Sequence, residues 1–562
     1  MIGGWREMAA CYGMTQFEFD PEKDLESYKV WMCDLAHFPK GLRPLPGYLW
    51  TDQLTYGQQY ACEKLQVPES KGWDERIVDG YSYLAVIECE PEEVAEREEK
   101  YRENLIPFIE DFDGIWKKAM DEWMETVEYF KNFDIKNADN IELREHLEEY
   151  FNRIHYTWRE LHFYYMYPVF TLVYTFGQLC KELIGLDTED PLFKALNSGF
   201  DNRLFQVNRD IWGFGDRAKE LGLGNLFVET EDREIIPKLD ESEAGKQWLQ
   251  EYRDWLKVEG WRNVDMWDVS SVTWIEDPSL PLRDMKQAIV KGGSFALDDV
   301  RERLVQGRLK AEEEVLAKVP ADKRDWFEKL MRVAQKGSVF SEEHNWYLDQ
   351  HVAAISRRIF LEFGKRFTKA GVIDDPEDVF YLLPPEIRKA SICMNRINLR
   401  PYVESRKEEY ERYRNTEPKP FLGDVEKFPE VAKKNPLIRV IFTPPRVRPE
   451  LKADLYGGTS SPGIIEGVAR VILSERDLDQ LQPGEILVTV ATAVPWTPAF
   501  SIISGVVTNA GGGLAHAVLV AREYGIPAVC GTREATKKIK TGDRIKVDGD
   551  LGVVYILEKA ES

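Results

Sequence analysis

Residues 508–532 read TNAGGGLAHAVLVAREYGIPAVCGT, and this stretch decides how the rest of the chain is interpreted. A β-branched run, GVVT at 505–508, enters three consecutive glycines, Gly511, Gly512 and Gly513. Leu514, Ala515 and His516 follow, and about Ala515–Tyr524 has the apolar spacing of an amphipathic helix. Glycines let backbone amides approach an anion without obstruction by Cβ. A helix N-terminus adds unpaired N–H donors and partial positive charge. A histidine at that junction can accept a phosphoryl group whose new charge is already provided for. Neutral imidazole is a competent nucleophile near pH 7. His516 is therefore the candidate phosphoryl carrier, and Gly511, Gly512 and Gly513 are the candidate phosphoryl-binding residues, although by themselves these residues equally suit a tight turn with His516 capping the helix.

Working outward, short β-branched runs surround this stretch: GIIEGVARVIL (463–473), EILVTV (485–490), AVCGT (528–532), DRIKVDGD (543–550) and GVVYIL (552–557). Turn signals such as Pro483-Gly484 and Thr541-Gly542-Asp543 separate them, so residues 459–562 read as a compact α/β domain. Before it lie Pro436, Pro444, Pro445 and Pro449. Prolines this dense extend and stiffen a chain, which marks 436–458 as a linker. Residues 1–435 read as mostly helical, with helix formers and apolar spacing at Glu92–Tyr101, Glu142–Tyr156, Asp298–Ala317, Asp322–Lys336 and His344–Ala370. The expected fold is multidomain: a mostly α-helical N-terminal substrate domain, then a C-terminal α/β domain on a swivel.

Composition narrows the function classes. The chain has 562 residues, 43% hydrophobic and 31% charged, with a net charge of −24. An acidic surface repels phosphate backbones and anionic lipid, so neither nucleic acid nor membrane is expected as a partner. The seven cysteines form no CxxC or Cys/His cluster, so no metal site is expected, and reduced thiols point to the cytoplasm. Phe163–Leu179 is apolar and aromatic but contains Pro168 and Gln178, and it reads as a buried core helix rather than a membrane span.

The tail resembles the swivelling phosphohistidine domain of the phosphoenolpyruvate-utilising enzymes. Ser461-Pro462-Gly463 with Glu466-Gly467 is similar to the family's opening segment. Pro483–Val488 and Trp496-Thr497-Pro498 are similar to its middle, and GGGLAHAVLVAREYGIPAV to its phosphohistidine signature. The family usually has Ser or Thr just before the histidine, whereas this chain has Ala515 and so lacks that hydroxyl.

The helical part resembles, more weakly, the substrate-binding domain of the rifampicin phosphotransferases. EGWRNVDMWDVSSVTWIEDP (259–278) has Trp261 where that family has histidine, while Arg262, Trp274, Glu276, Asp277 and Pro278 match. Residues 340–387 resemble a later segment and include His344. The resemblance makes Arg262 a candidate phosphate holder through charge-assisted bonds, and His344 a candidate base toward an acceptor hydroxyl. Both also have ordinary readings, as a helix-bridging arginine and a satisfied helix histidine. His155 and His162, seven residues apart on one helical face, are secondary candidates for lining a pocket.

The sequence contains no GxxxxGK[ST] loop and no stretch resembling a nucleotide-grasp domain. This implies that no cofactor is bound by this chain and that ATP and Mg²⁺ sit on a partner subunit of nucleotide-grasp type. Such a split resembles the phosphohistidine-carrying subunit of the phenylphosphate synthases of anaerobic phenol degradation. The expected activity is phosphotransfer by way of phospho-His516 to a small aromatic hydroxyl. An antibiotic or other alcohol as acceptor, or a phosphocarrier acting by protein interaction, are the alternatives.

Overall fold

The computed structural model describes residues 28–35, 37–38, 41–264, 268–291, 295–414, 416–441, 449–473, 475–492, 496–512 and 515–560. The principal helices are α1 (Pro44–Leu65), α2 (Pro91–Asn132), α3 (Tyr156–Ile184), α4 (Arg203–Glu220), α5 (Glu243–Glu259), α6 (Phe295–Lys318), α7 (Arg324–His344), α8 (His351–Ala370) and α9 (His516–Tyr524). The chain divides into two compact units. The first comprises the residues up to Thr171, Trp267–Ser270 and Tyr347–Arg439. The second comprises Leu172–Met266, Ser271–Trp346 and Val440 onward.

The first unit is helical, as its periodicity predicts, and also contains a four-stranded sheet that the helical reading of 1–435 does not anticipate. Its strands β1 (Val30–Cys33), β2 (Ser70–Val78), β3 (Tyr81–Glu88) and β4 (Phe421–Gly423) are ordered β2-β3-β1-β4. The β2–β3 hairpin turns at Asp79 and Gly80, with φ of 50° and 76°. Asp-Gly suits a turn that needs two left-handed residues. Tyr81 to Val86 are buried without interruption, so β3 lacks the alternation that marks a half-exposed strand.

Phe163–Leu179 lies inside α3, where Tyr167 and Phe176 are fully buried, and no described helix is long and apolar enough to cross a membrane. A π-helical turn, Tyr150–His155, leads directly into α3. Where α1 meets α3, Gly57 allows backbone-to-backbone approach, since a Cβ there would lie 2.5 Å from the Arg159 carbonyl oxygen.

In the second unit, β5 (Leu455–Tyr456), β6 (Gly458–Ser461), β7 (Ile464–Val471), β8 (Ile486–Thr489), β9 (Gly505–Thr508), β10 (Ala528–Cys530), β11 (Arg544–Asp548) and β12 (Val553–Glu558) form one sheet. Their order is β5-β12-β11-β7-β8-β9-β10-β6, and β7, β8, β9 and β10 pair in parallel. Side chains alternate across it. Ile486, Val488 and Val507 pack with Ile545 and Val554 on one face, while Leu487 and Val506 pack with Val518 and Ala521 of α9 on the other.

The predicted 436–458 linker is more structured than its prolines suggest. Pro436 opens a short helix, Pro436–Ile441, because proline's fixed φ suits the first helical position, and 455–456 already belongs to the sheet. Residues 442–448, including Pro444 and Pro445, lie outside the described residues.

Gly57→Ala is expected to destabilise the first unit by about 1–3 kcal/mol, because the new methyl must separate α1 from α3. Urea unfolding checks this, and an unchanged midpoint would contradict the close approach.

Candidate functional site: the histidine that opens a helix

The strand β9 delivers the chain to the site, and its end is tied down by Thr532. The Thr532 amide and hydroxyl both donate to the Thr508 carbonyl, at 2.9 and 2.8 Å. Gly511 follows with φ +120°, a conformation that side chains rarely adopt, so glycine is required there. Gly513 and Leu514 lie outside the described residues. Ala515 is the N-cap of α9 and contributes no side-chain cap, so the missing hydroxyl is not replaced at that position. His516 is the first residue of the helix.

A hydroxyl reaches the imidazole from elsewhere. Thr492 Oγ1 lies 2.9 Å from His516 Nδ1, while the Phe500 ring stands edge-on with its centroid 6.1 Å away. The sequence reading did not single out Thr492, which is remote in sequence and carries no motif signal. The imidazole is partly buried, and burial pushes its pKa down to about 3. The neutral, nucleophilic ring is therefore the form present at physiological pH.

The far end of α9 is seated on the helical segment of the same unit, against α6. Glu523 accepts from the Gly199 amide at 3.3 Å, and Arg308 of α6 donates to the carbonyls of Ser198 and Gly199 at 3.1 and 2.7 Å. Tyr524 packs with Trp255 and Trp274, and Val207 of α4 enters the apolar cluster beneath α9. Glu342 of α7 is 3% exposed and neither carboxylate oxygen has a hydrogen-bond partner among the described residues. Burial raises its pKa to about 8, with Arg262 opposing the shift and Glu523 adding to it. Burial likewise raises Glu523 to about 7.

The other candidates are arranged differently. Arg262 is not presented to a phosphate: its Nε and Nη2 donate to Glu259 Oε2 at 3.0 and 2.9 Å, and its guanidinium lies 4.1 Å from the centre of the Trp346 ring. Glu259 also pairs with Arg203, so Arg262 closes a buried ion-pair network at the end of α5. Trp261 beside it is 6% exposed. His344 is buried, stacks on Phe340 and donates Nδ1–H to that residue's carbonyl at 2.8 Å. This bond fixes its tautomer. His155 and His162 lie in the first unit, each held by a buried carboxylate. His155 Nε2 is 2.8 Å from Asp52, and His162 Nδ1 is 3.1 Å from Asp349.

The helix-heading histidine behind a glycine turn thus sits on an α/β domain that packs against a helical segment of the same unit. Residues 481–552 match the family described as PEP-utilising enzyme, mobile domain, and residues 162–342 match the rifampicin phosphotransferase fourth domain. Residues 481–552 are thus similar to the mobile domain of the PEP-utilising enzymes, and residues 162–342 to a helical domain of rifampicin phosphotransferase type.

Among similar proteins is the chondramide synthase cmdD of Chondromyces crocatus, 29% identical over 94% of this chain and 14% of that protein. The phosphotransferase YvkC of Bacillus subtilis is 26% identical over 71% of this chain and 47% of its own length. The rifampicin phosphotransferase of the same organism is 30% identical over 59% of this chain and 37% of its length. The chain thus spans less than half the length of each of these relatives.

A histidine whose folded pKa lies below its unfolded value of about 6.5 stabilises the fold above that pH. The contribution declines as pH falls from 6.5 toward 3. The His516 imidazole is expected to remain neutral down to pH 5 in an NMR titration, and a midpoint near 6.5 would contradict the burial described.

Proposed function

We propose that this chain is the phosphohistidine-carrying part of a phosphotransferase. His516 receives the β-phosphoryl group of ATP, bound with Mg²⁺ on a partner nucleotide-grasp subunit; AMP leaves from one side of that phosphorus, and water takes the γ-phosphoryl group as inorganic phosphate. The domain then swings about the segment near 436–458 and presents phospho-His516 to an acceptor in the helical part. The acceptor oxygen attacks phosphorus, the N–P bond breaks and the acceptor's hydroxyl proton is lost. The observation that carries this reading is His516 as the first residue of α9, behind Gly511 and with Thr492 on Nδ1. With Nδ1 engaged by Thr492, Nε2 is the nitrogen assigned to take the phosphoryl group.

A small aromatic hydroxyl, as in the phenylphosphate synthases, is the first choice of acceptor, with the reaction in the cytoplasm. The rifampicin phosphotransferase match over 162–342 favours a second reading, in which the acceptor is an antibiotic hydroxyl.

The test uses [β-³²P]ATP, Mg²⁺ and the host extract as source of the partner, with phenols, rifampicin and simple alcohols as acceptors. Label is expected on His516 and then on a phenol, with γ-label appearing as inorganic phosphate. Label on rifampicin alone would select the second reading. Stable label on His516 that no hydroxyl compound removes would overturn both in favour of a phosphocarrier. Thr492→Val is expected to slow labelling about three- to tenfold, the loss of a hydrogen bond of about 1 kcal/mol, and an unchanged rate would remove Thr492 from the mechanism.

A further inference from the structure

The first unit holds a second polar centre that phosphotransfer does not use, and none of its residues lies in either matched segment. Asp52, Gln53 and Tyr56 come from α1, His155 from the π-helical turn, and Tyr156 and Arg159 from the start of α3. Asp52 Oδ2 accepts from Arg159 Nη1 at 2.7 Å and lies 2.8 Å from His155 Nε2, while Gln53 Nε2 is 3.2 Å from His155 Nδ1. Asp52, His155 and Arg159 are 5, 1 and 0% exposed. Burial opposes ionisation of Asp52, but Arg159 and His155 outweigh it and hold its pKa below the usual value. Burial keeps the His155 pKa low despite Asp52.

Arg159 is the unusual member. Its guanidinium is sandwiched between Tyr56 and Tyr156, 3.7 and 4.2 Å from the two ring centres. The sandwich fixes the plane of the fork. One edge meets Asp52, whereas Nε and Nη2, which share the other edge, are buried without an acceptor among the described residues. Two charged donors left unpaired away from water are costly. An Nε–Nη2 edge is also the pair of parallel donors that matches the two oxygens of a carboxylate. Gly57, one residue beyond Tyr56, permits the close approach of α1 and α3 that brings these groups together.

We propose that the Nε–Nη2 edge of Arg159 is a binding site for the carboxylate of a small organic acid, with its body lying against Tyr56 and Tyr156. Both rings are partly exposed, so the site lies close to the surface. Charge selects a monoanion. Asp52 already balances Arg159 and His155 is neutral, so a carboxylate adds one uncompensated charge where a phosphate dianion would add two. A planar, aromatic acid fits the stacked rings best. This site does not depend on the function proposed for His516.

The test is titration calorimetry of the full chain with sodium benzoate, methyl benzoate and inorganic phosphate. One benzoate per chain is expected to bind with a Kd in the millimolar range or tighter, while the ester and phosphate give no comparable heat. Arg159→Lys, which keeps the charge but loses the fork, is expected to weaken benzoate at least tenfold. Should that buried substitution prevent folding, Tyr56→Leu removes one stacking face at a partly exposed position and is expected to weaken it at least threefold. Absence of benzoate binding to the folded wild type would mean that water alone meets the two donors, and would overturn the proposal. Equal binding of methyl benzoate or phosphate, or full affinity in the folded variants, would overturn it as well.

Discussion

The arrangement depends on one backbone constraint: the histidine must be the first residue of a helix reached through a left-handed glycine turn. At Gly511 the chain has φ +120°, and a Cβ there would lie 3.1 Å from that of Ala515, so a side chain would be both strained and crowded. The turn is braced on both sides. Thr532 holds the end of β9, and the parallel pairing of β9 with β10 fixes the strand that follows α9. With both flanks anchored in the sheet, the first-turn amides of α9 and its dipole are directed to the place where a phosphoryl charge would develop.

The two ends of α9 have opposite electrostatic characters. At the head, burial alone accounts for the depressed pKa of His516, and Phe500 and Thr492 are its close neighbours. Such surroundings favour the neutral ring but not a phosphorylated one carrying between one and two extra charges. The neutral ring suits this position, and compensation for any added phosphoryl charge would have to come from the helix N-terminus. At the tail, Arg522 donates to the Ser460 carbonyl, and Glu523 and Tyr524 seat the helix on the segment carrying Gly199, Trp255 and Trp274. Val207, Trp255 and Trp274 of the helical segment also reach the apolar cluster beneath the head, which includes Phe500 and Ala517.

Much of this was legible in the sequence where local chemistry dictates structure. The strands of the tail were read from β-branched runs and turn signals, and the helix from apolar spacing; the observed helix begins at His516, one residue after the expected start at Ala515. Features set by distant packing were not legible. Strand β3 is buried on both faces and so lost its period-two signature, and Thr492 meets His516 from 24 residues away in sequence. Arg262 has the residue type of a phosphate ligand, but Glu259, three residues earlier at the end of α5, takes its Nε and Nη2 donors. A pairing that close was visible as spacing, although its burial was not. The unpartnered carboxylate of Glu342 and the half-paired guanidinium of Arg159 left no sequence signal, because what distinguishes them is the absence of a neighbour.

The central claim is that His516 carries the phosphoryl group. Intact-mass spectrometry at alkaline pH, where phosphohistidine survives, tests it most directly. The chain is incubated with ATP and Mg²⁺, with and without host extract, beside His516→Ala. A mass gain of one phosphoryl group in the presence of extract, absent from His516→Ala, is the predicted result. The same gain in His516→Ala, or none in the wild type under either condition, would contradict it.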